Sequence, residues 1–250
     1  MNQLESISQR LSEINRMVMS LFAMQSRNQL APVFRSPYGE DMIAWKLLNY
    51  ARHGRFVEVG AFDGRSLSVT YALEQIGWHG LLIEPIPERA EECKKNRTST
   101  VINAALAGRG CSGTAKFEIV EGGPGGMFSR LPDTSKPSEF VEKSDAKKRI
   151  VEVPLTTMDN VLGAKYPDGA TIDLAVIDVE GGELAVLDGF DLELWKPRLM
   201  FIEDNSFGKD NALDKFFADK PYTMIGFVGC NRMYARTDDK ELMREIYPTA

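Results

Sequence analysis

Cysteine is scarce. Cys93, Cys111 and Cys230 stand far apart in the chain, too few and too scattered for a disulfide framework or a zinc knuckle. Histidine is scarcer still: His53 and His79 are the whole supply. Both fall in short turns ahead of apolar runs, so histidine acid–base chemistry has little to draw on. Positive charge is not in excess either. The 30 Lys and Arg are outnumbered by 36 Asp and Glu, for a formal charge of −6, which argues against a nucleic-acid partner. The one basic run, Lys143–Arg149, reads as a solvated face. No stretch reaches the ~20 consecutive apolar residues of a membrane span. The N-terminus has no basic region followed by an apolar core, so no signal peptide is expected. These absences lead to the expectation of a cytoplasmic protein without a transmembrane segment.

What is present is enough apolar residue, 43% of 250, for one large α/β domain. Ahead of it, Leu4, Ile7, Leu11, Ile14, Val18 and Leu21 recur by threes and fours. A stripe that narrow suits a coiled-coil seam better than a helix lying on its own domain. Leu at the a-like positions and Ile at the d-like ones favours more than two strands, so a homo-oligomer through residues 1–28 is expected. Residues 29–35 read as a linker, where Pro32 stops the helix, and 36–250 as the main domain.

From Ser36 onward the pattern alternates. A helix over 39–52, a strand over 56–59, a helix over 66–76, a strand over 81–83, a helix over 88–96 and a strand over 101–105 form the first half. After the middle, helix 157–162, strand 174–177, helix 183–187 and strand 199–202 resume it. Short apolar strands separated by helices mean βαβ units and a mostly parallel sheet. The middle differs: KFEIV and IVEVPL are β-rich runs around a long Gly/Pro/Ser-rich loop, and loops of that length are functional or disordered. The last two apolar runs, TMIGFVGCNRMYAR, have no helix between them and read as an antiparallel hairpin at the sheet edge.

The stretch Phe56–Gly64, FVEVGAFDG, followed about twenty residues later by LLIEP, is the layout of a nucleotide site at the mouth of such a sheet. A dinucleotide turn would read G-x-G-x-x-G, but Gly60-Ala61-Phe62-Asp63-Gly64 keeps only the outer glycines. No P-loop lysine is present. The strand instead carries its own acid, Glu58, awkward beside a diphosphate but suited to a cationic amino group. S-adenosylmethionine has that group, a sulfonium and a ribose diol for Glu84. Two other readings stand beside it. One is an NAD-dependent sugar-modifying oxidoreductase, opposed by the broken glycine pattern and by the lack of a Tyr-x-x-x-Lys pair. The other is a non-catalytic cofactor-binding module presented by a coiled coil.

The segments SPYGEDMIAW (36–45), FVEVGAFDG (56–64), LEQIGWHGLLIEPIPE (73–88), VINAAL (101–106), LTTMDNVL (155–162), IDLAVIDVEGGELAVLDGF (172–190), PRLMFIE (197–203) and NRMYAR (231–236) resemble, in order, the FkbM-type methyltransferases of the class I S-adenosylmethionine-dependent group. The heptad helix lies outside the resemblance. It implies an α/β, Rossmann-like class I methyltransferase fold with a seven-stranded sheet and a reversed terminal strand. It also implies O-methylation of a sugar or glycan hydroxyl, on a cell-surface polysaccharide or a glycosylated natural product, with S-adenosylhomocysteine as product.

Residue by residue, the resemblance implies that Glu58, Gly60, Ala61 and Gly64 hold the methionine end of the cofactor, with Asp63 nearby. Tyr38, Gly39, Glu40 and Asp41 would fold over it, although Glu40 and Asp41 suit equally well the capping of the following helix. Glu84, with Pro85, would bind ribose, and Asn103 with Ala104 would flank adenine. Asp178, at the carboxyl end of its strand, would face the cofactor. A sugar hydroxyl needs a base as its oxygen attacks, and with so little histidine a carboxylate is expected. Glu180 and Glu203 are the candidates, Glu180 having the alternative of a first-turn acid on the next helix. Asp178, Glu203 and Asp204, with Asn205, could also supply oxygen ligands to Mg²⁺ or Ca²⁺. The sequence admits chemistry with or without that metal. Asn231 and Arg232 on the hairpin, and Met127, Phe128, Ser129 and Arg130 in the long loop, are placed near the acceptor.

Overall fold

The computed structural model describes residues 18, 32–121, 129, 131 and 147–248. The heptad helix of 1–28, apart from Val18, and Met127, Phe128 and Arg130 of the long loop lie outside the described residues. The first half contains α1 (Glu40–Leu47), β1 (Arg55–Val59), α2 (Tyr71–Gln75), β2 (His79–Ile83), α3 (Pro87–Asn96) and β3 (Thr100–Ile102). Then come β4 (Ala105–Leu106), β5 (Gly113–Glu121), β6 (Lys147–Thr156), α4 (Met158–Lys165), β7 (Leu174–Ile177) and α5 (Glu183–Asp188). The chain finishes with α6 (Leu192–Trp195), β8 (Leu199–Glu203), α7 (Ala212–Phe217), β9 (Tyr222–Val228), β10 (Asn231–Arg236) and α8 (Lys240–Ile246).

Seven strands form one sheet in the order β3-β2-β1-β7-β8-β10-β9. β1 pairs in parallel with both β2 and β7, and β7 with β8, while β10 runs antiparallel to both of its neighbours. The chain starts in the middle of the sheet, winds outward to β3, then returns to β7. Its winding therefore reverses between β1 and β7, the place where open α/β sheets bind ligands beyond the strands' carboxyl ends.

Period-two alternation sorts the β1 side chains. Val57 and Val59 join the layer containing Leu162, Val186 and Leu187. Phe56 joins the opposite layer with Trp45, Leu73 and Trp78. The same alternation buries Glu58 on the Phe56 face, and a buried carboxylate must be bonded. It is: Val69 N (2.9 Å), Ser68 Oγ (2.8 Å) and Thr70 Oγ1 (2.5 Å) donate to it. The buried Arg97 guanidinium lies 3.6 Å from Glu58 and 3.2 Å from Glu74. These bonds explain a departure from the periodicity. A helix is expected over 66–76, but α2 covers only Tyr71–Gln75, because the segment before it is wrapped around Glu58.

Two more departures have local causes. The strand expected over 101–105 is divided: Ile102 ends β3 in the main sheet, whereas Ala105 pairs with Leu155 of β6. With β5 this makes a second sheet, β4-β6-β5, closed over Ile86, Phe117, Ile119 and Val153. The terminal hairpin is not wholly at the edge. β10 is inserted between β8 and β9, so only β9 is peripheral.

Candidate active site

A cavity of about 440 Å³ opens above the carboxyl ends of β1, β2, β7 and β8. At its centre the two strands flanking the winding reversal almost touch. Gly60, just past β1, has φ +83, and a Cβ built on it would stand 1.8 Å from the Asp178 carbonyl oxygen past β7. Only a residue without a side chain fits there. Gly60 N and Ala61 N both donate to Ile83 O (3.0 and 3.1 Å), which ties this turn to the end of β2.

Glu84 follows β2 and is 4% exposed. Its Oε2 accepts from Phe62 N and its Oε1 from Ile86 N, each at 2.8 Å. Each oxygen keeps a second lone pair. Burial pushes the carboxyl up to about 7, against the pull of those two N–H groups and of Arg89.

Past β7 the backbone turns sharply, with Glu180 (φ 56) and Gly181 (φ 96) consecutively left-handed. A non-glycine residue in that region is uncommon, and here it brings the Glu180 side chain back over the cavity. The bonds that hold the turn come from Glu183, whose Oε1 accepts from Val179 N (3.2 Å) and Gly181 N (2.9 Å). The first-turn acid of α5 is thus Glu183, and Glu180 is left to the cavity.

Carboxylate oxygens of Asp178, Glu180 and Glu203 lie within 4.8 Å of one another. Asp178 is open to the water of the cavity but enclosed by protein on its other sides. That enclosure first, then Glu183, raises it to about 7. Glu180 is pushed up to about 8 by burial and then by Asp178 and Glu183. Glu203 is raised well above the usual carboxylate range by burial and by the same neighbours. Among the described residues, Glu203 Oε2 and Asn231 Oδ1 are buried without a hydrogen-bond partner. Glu203 also lies within bonding reach of Asp178 and Glu183, but two carboxylates form that bond only when one of them holds a proton. The cluster is therefore a proton-sharing group with spare acceptors.

Tyr38, Glu40, Glu58, Ala61, Pro85, Ala104, Asn205 and Asn231 also line the cavity, as does Ser129 of the long loop. Glu40 is joined to the hairpin by Asn231 Nδ2 (3.2 Å). Other expected site residues are placed elsewhere. Asp41 is fully buried and accepts from Arg35 N, Ser36 N and Ser36 Oγ. Asp63 closes a turn on Arg65 N and Ser66. Gly64 packs against Cys93 and Arg97. Asn103 donates to the carbonyls of Glu84 and Pro85, bracing the turn after β2. Asp204, expected beside a metal, is instead paired with Arg232 (2.6 Å) and accepts from Ser206 and Gly208. That pairing also keeps Arg232 off the cavity. Sequence reasoning missed Glu183, whose spacing to Glu180 in EGGE is the available signal, and the Ser66–Val69 wall, for which periodicity carried none.

Residues 58–227, more than half of the chain and most of the cavity wall, match the family described as Methyltransferase FkbM domain. The chain belongs to that family. A comparison with curated proteins yields no match. Among solved structures, the C-terminal domain of precorrin-6Y C5,15-methyltransferase from Rhodobacter capsulatus is similar at 12% identity, over 78% of this chain and 84% of that one, with a TM-score of 0.37. Around the FkbM methyltransferase domain, the flanking segments close the cavity: Tyr38 and Glu40 precede the matched span, and Cys230 and Asn231 follow it.

So many raised carboxyls make this FkbM domain's stability depend on pH in an unusual direction. Asp178, Glu180, Glu84, Glu203, Glu183 and Glu40 are all raised in the folded state. The folded protein holds protons that the unfolded chain has already released, so stability falls as pH rises through 7 to 8, the values of Asp178, Glu84 and Glu180. Asp63, Glu74, Asp204 and Asp239 are lowered and act in the opposite sense, but only at pH below their ordinary values. We expect a melting temperature about 5–10 °C lower at about pH 8.5 than at about pH 5.5. A calorimetric scan across that range that came out flat, or rising, would contradict the assigned electrostatics.

Proposed function

We propose that the protein is an S-adenosylmethionine-dependent O-methyltransferase acting on a hydroxyl of a sugar or glycan. One observation carries the reading. The described lining residues include six carboxylates, Glu40, Glu58, Glu84, Asp178, Glu180 and Glu203, and no Lys, Arg or His. Such a wall repels the diphosphate of NAD and attracts a ligand with an ammonium and a sulfonium. The unpartnered Glu203 Oε2 and Asn231 Oδ1 and the free lone pairs of Glu84 fit the same ligand class.

In this reading Glu84 accepts from the ribose hydroxyls, with Pro85 and Ala104 toward the base, where Phe117 of the second sheet adds an apolar wall. Glu58 shapes the 68–70 wall through its three bonds and its Arg97 contact. It acts on the cofactor's amino end as a positioning residue. The cofactor supplies an electrophilic methyl group. With the cofactor bound, the Glu180 carboxylate would take the proton of the acceptor hydroxyl. A base raised to about 8 is nearly matched to neutral pH, the condition under which general-base catalysis works best. Burial, then Asp178 and Glu183, hold Glu180 at that value, and Asp178 and Glu203 orient the hydroxyl. The same three carboxylates are the residues that would hold a Mg²⁺ or Ca²⁺, whose contribution there would be to acidify the bound hydroxyl.

Calorimetric titration with S-adenosylhomocysteine beside NAD tests the reading. We expect micromolar binding of the first and none of the second. Binding of NAD alone would overturn the methyltransferase assignment. In the Glu84→Ala variant, affinity should fall by about 1–3 kcal/mol through lost hydroxyl contacts; an unchanged affinity would remove Glu84 from the ribose site.

A further inference from the structure

Past β8 the chain makes a tight loop in which the Asp204 carboxylate is the main acceptor. Asp204 Oδ1 accepts from Ser206 N (2.9 Å) and Ser206 Oγ (2.5 Å). Asp204 Oδ2 accepts from Gly208 N (2.9 Å) and pairs with Arg232 Nε (2.6 Å). Arg232 is itself anchored on Asp214 and on the Asp210 carbonyl. Between these fixed points sits Phe207, with φ 53 and 64% of its surface exposed. A bulky residue held left-handed is a true outlier, and exposing a phenyl ring forgoes the stabilisation of burying it. The loop thus spends one carboxylate, one buried arginine and a strained residue on keeping an aromatic ring out of the core. Phe207 lines the mouth of the cavity, where Tyr38 (50% exposed) and Leu67 (41% exposed, φ 61) complete an apolar rim. Beneath that rim are Glu180 and the other carboxylates.

We propose that Phe207 is the platform on which the acceptor ring lies, and that the acceptor is an uncharged ring carrying hydroxyls. The proposal rests on the methyltransferase reading above and narrows its substrate. The negative face of the phenyl ring suits the weakly positive C–H face of a pyranose. The carboxylates and Asn205 below demand hydroxyl donors. A carboxylate- or phosphate-bearing sugar would bring an anion against a described lining that carries six carboxylates and no Lys, Arg or His. One ring with an apolar face and hydroxyl edges satisfies both halves of the site. An acidic sugar satisfies one and clashes with the other.

Saturation-transfer difference NMR tests this on the full chain loaded with S-adenosylhomocysteine. The probes are the methyl glycosides of glucose, mannose and rhamnose, and methyl glucuronide as the anionic counterpart. We expect transfer to the ring C–H protons of at least one neutral glycoside and markedly less to the uronate. Phe207→Ala should bind that glycoside about 3–10-fold more weakly, and Phe207→Trp should retain it. Because the ring is 64% exposed, both variants should keep the wild-type melting temperature and cofactor affinity. Undiminished transfer in Phe207→Ala, preference for the uronate, or no transfer to any glycoside while S-adenosylhomocysteine is bound would each overturn the platform. Failure of S-adenosylhomocysteine to bind the wild-type chain would instead overturn the methyltransferase reading, and the platform with it.

Discussion

The Glu180→Gln variant is expected to melt at a higher temperature than the wild type while losing nearly all turnover. Both effects come from one arrangement. Glu180 stands among Asp178, Glu183 and Glu203 with no cation nearby among the described residues, so its ionised form is costly and its carboxyl rises to about 8. Glutamine keeps the shape and removes that charge. After allowance for water in the cavity, the relief amounts to about 1–2 kcal/mol at about pH 8. For a chain of this size, that is an increase of about 2–8 °C. The same change removes the group proposed to take the acceptor's proton, so kcat should fall by about 10²–10⁴-fold. S-adenosylhomocysteine should bind as before. Scanning calorimetry and a tritiated-methyl transfer assay separate the possibilities. Loss of turnover without stabilisation would show that Glu180 is not strained electrostatically. Stabilisation with full turnover would move the base elsewhere, with Glu203 the next candidate.

Gly60→Ala should abolish cofactor binding, weakening S-adenosylhomocysteine by more than about 100-fold. The added methyl would occupy a point 1.8 Å from the Asp178 carbonyl oxygen, less than any real contact, so one of the two turns must shift. Either shift is felt twice, because the turn after β1 and Asp178 after β7 stand side by side in the wall of the same cavity. The left-handed φ of +83 adds about 1–2 kcal/mol for any L-residue. Gly110→Ala isolates that second cost. Gly110 has φ +78 and nothing within 4 Å of an added Cβ, so this variant should be modestly destabilised with its cofactor affinity intact. Equal loss of affinity in both variants would show that the effect is global, not a matter of contact with Asp178.

The sheet was legible in the sequence because its strands are short, apolar and separated by helices, a signal carried by local periodicity. The glycine turn and Glu84 were legible because their spacing follows from one βαβ unit. Other features depend on partners far along the chain, which no window of residues contains. Glu58 lies in a strand pattern that suggests a ligand contact, but only the fold brings Arg97 and the 68–70 segment to it. Asp204 reads as one more acid beside Glu203. The strand's alternation nevertheless sends it to the opposite side, where Arg232 from the terminal hairpin takes it up. Asn103 sits where a base-contacting residue is expected, yet it spends its amide on the carbonyls of Glu84 and Pro85. Phe207 carries no sequence signal at all, since an aromatic residue is ordinarily read as core. Its exposure results from the loop bonds.

The insertion of β10 between β8 and β9 sets a timetable for the nascent chain. Most of the cavity wall is encoded by residues 58–207, but Asn231, which faces Glu203 across the strand pair, belongs to the last strand. Until that strand has left the ribosome, β8 stands as an open edge, the kind of edge that pairs with whatever extended chain is at hand. Arg232 arrives with the same strand, so Asp204 and the loop above it also wait for that strand. A growing chain can close its glycine turn on the end of β2 first. The side of the cavity formed by Glu203 and Asn231 is completed only when the hairpin pairs with β8.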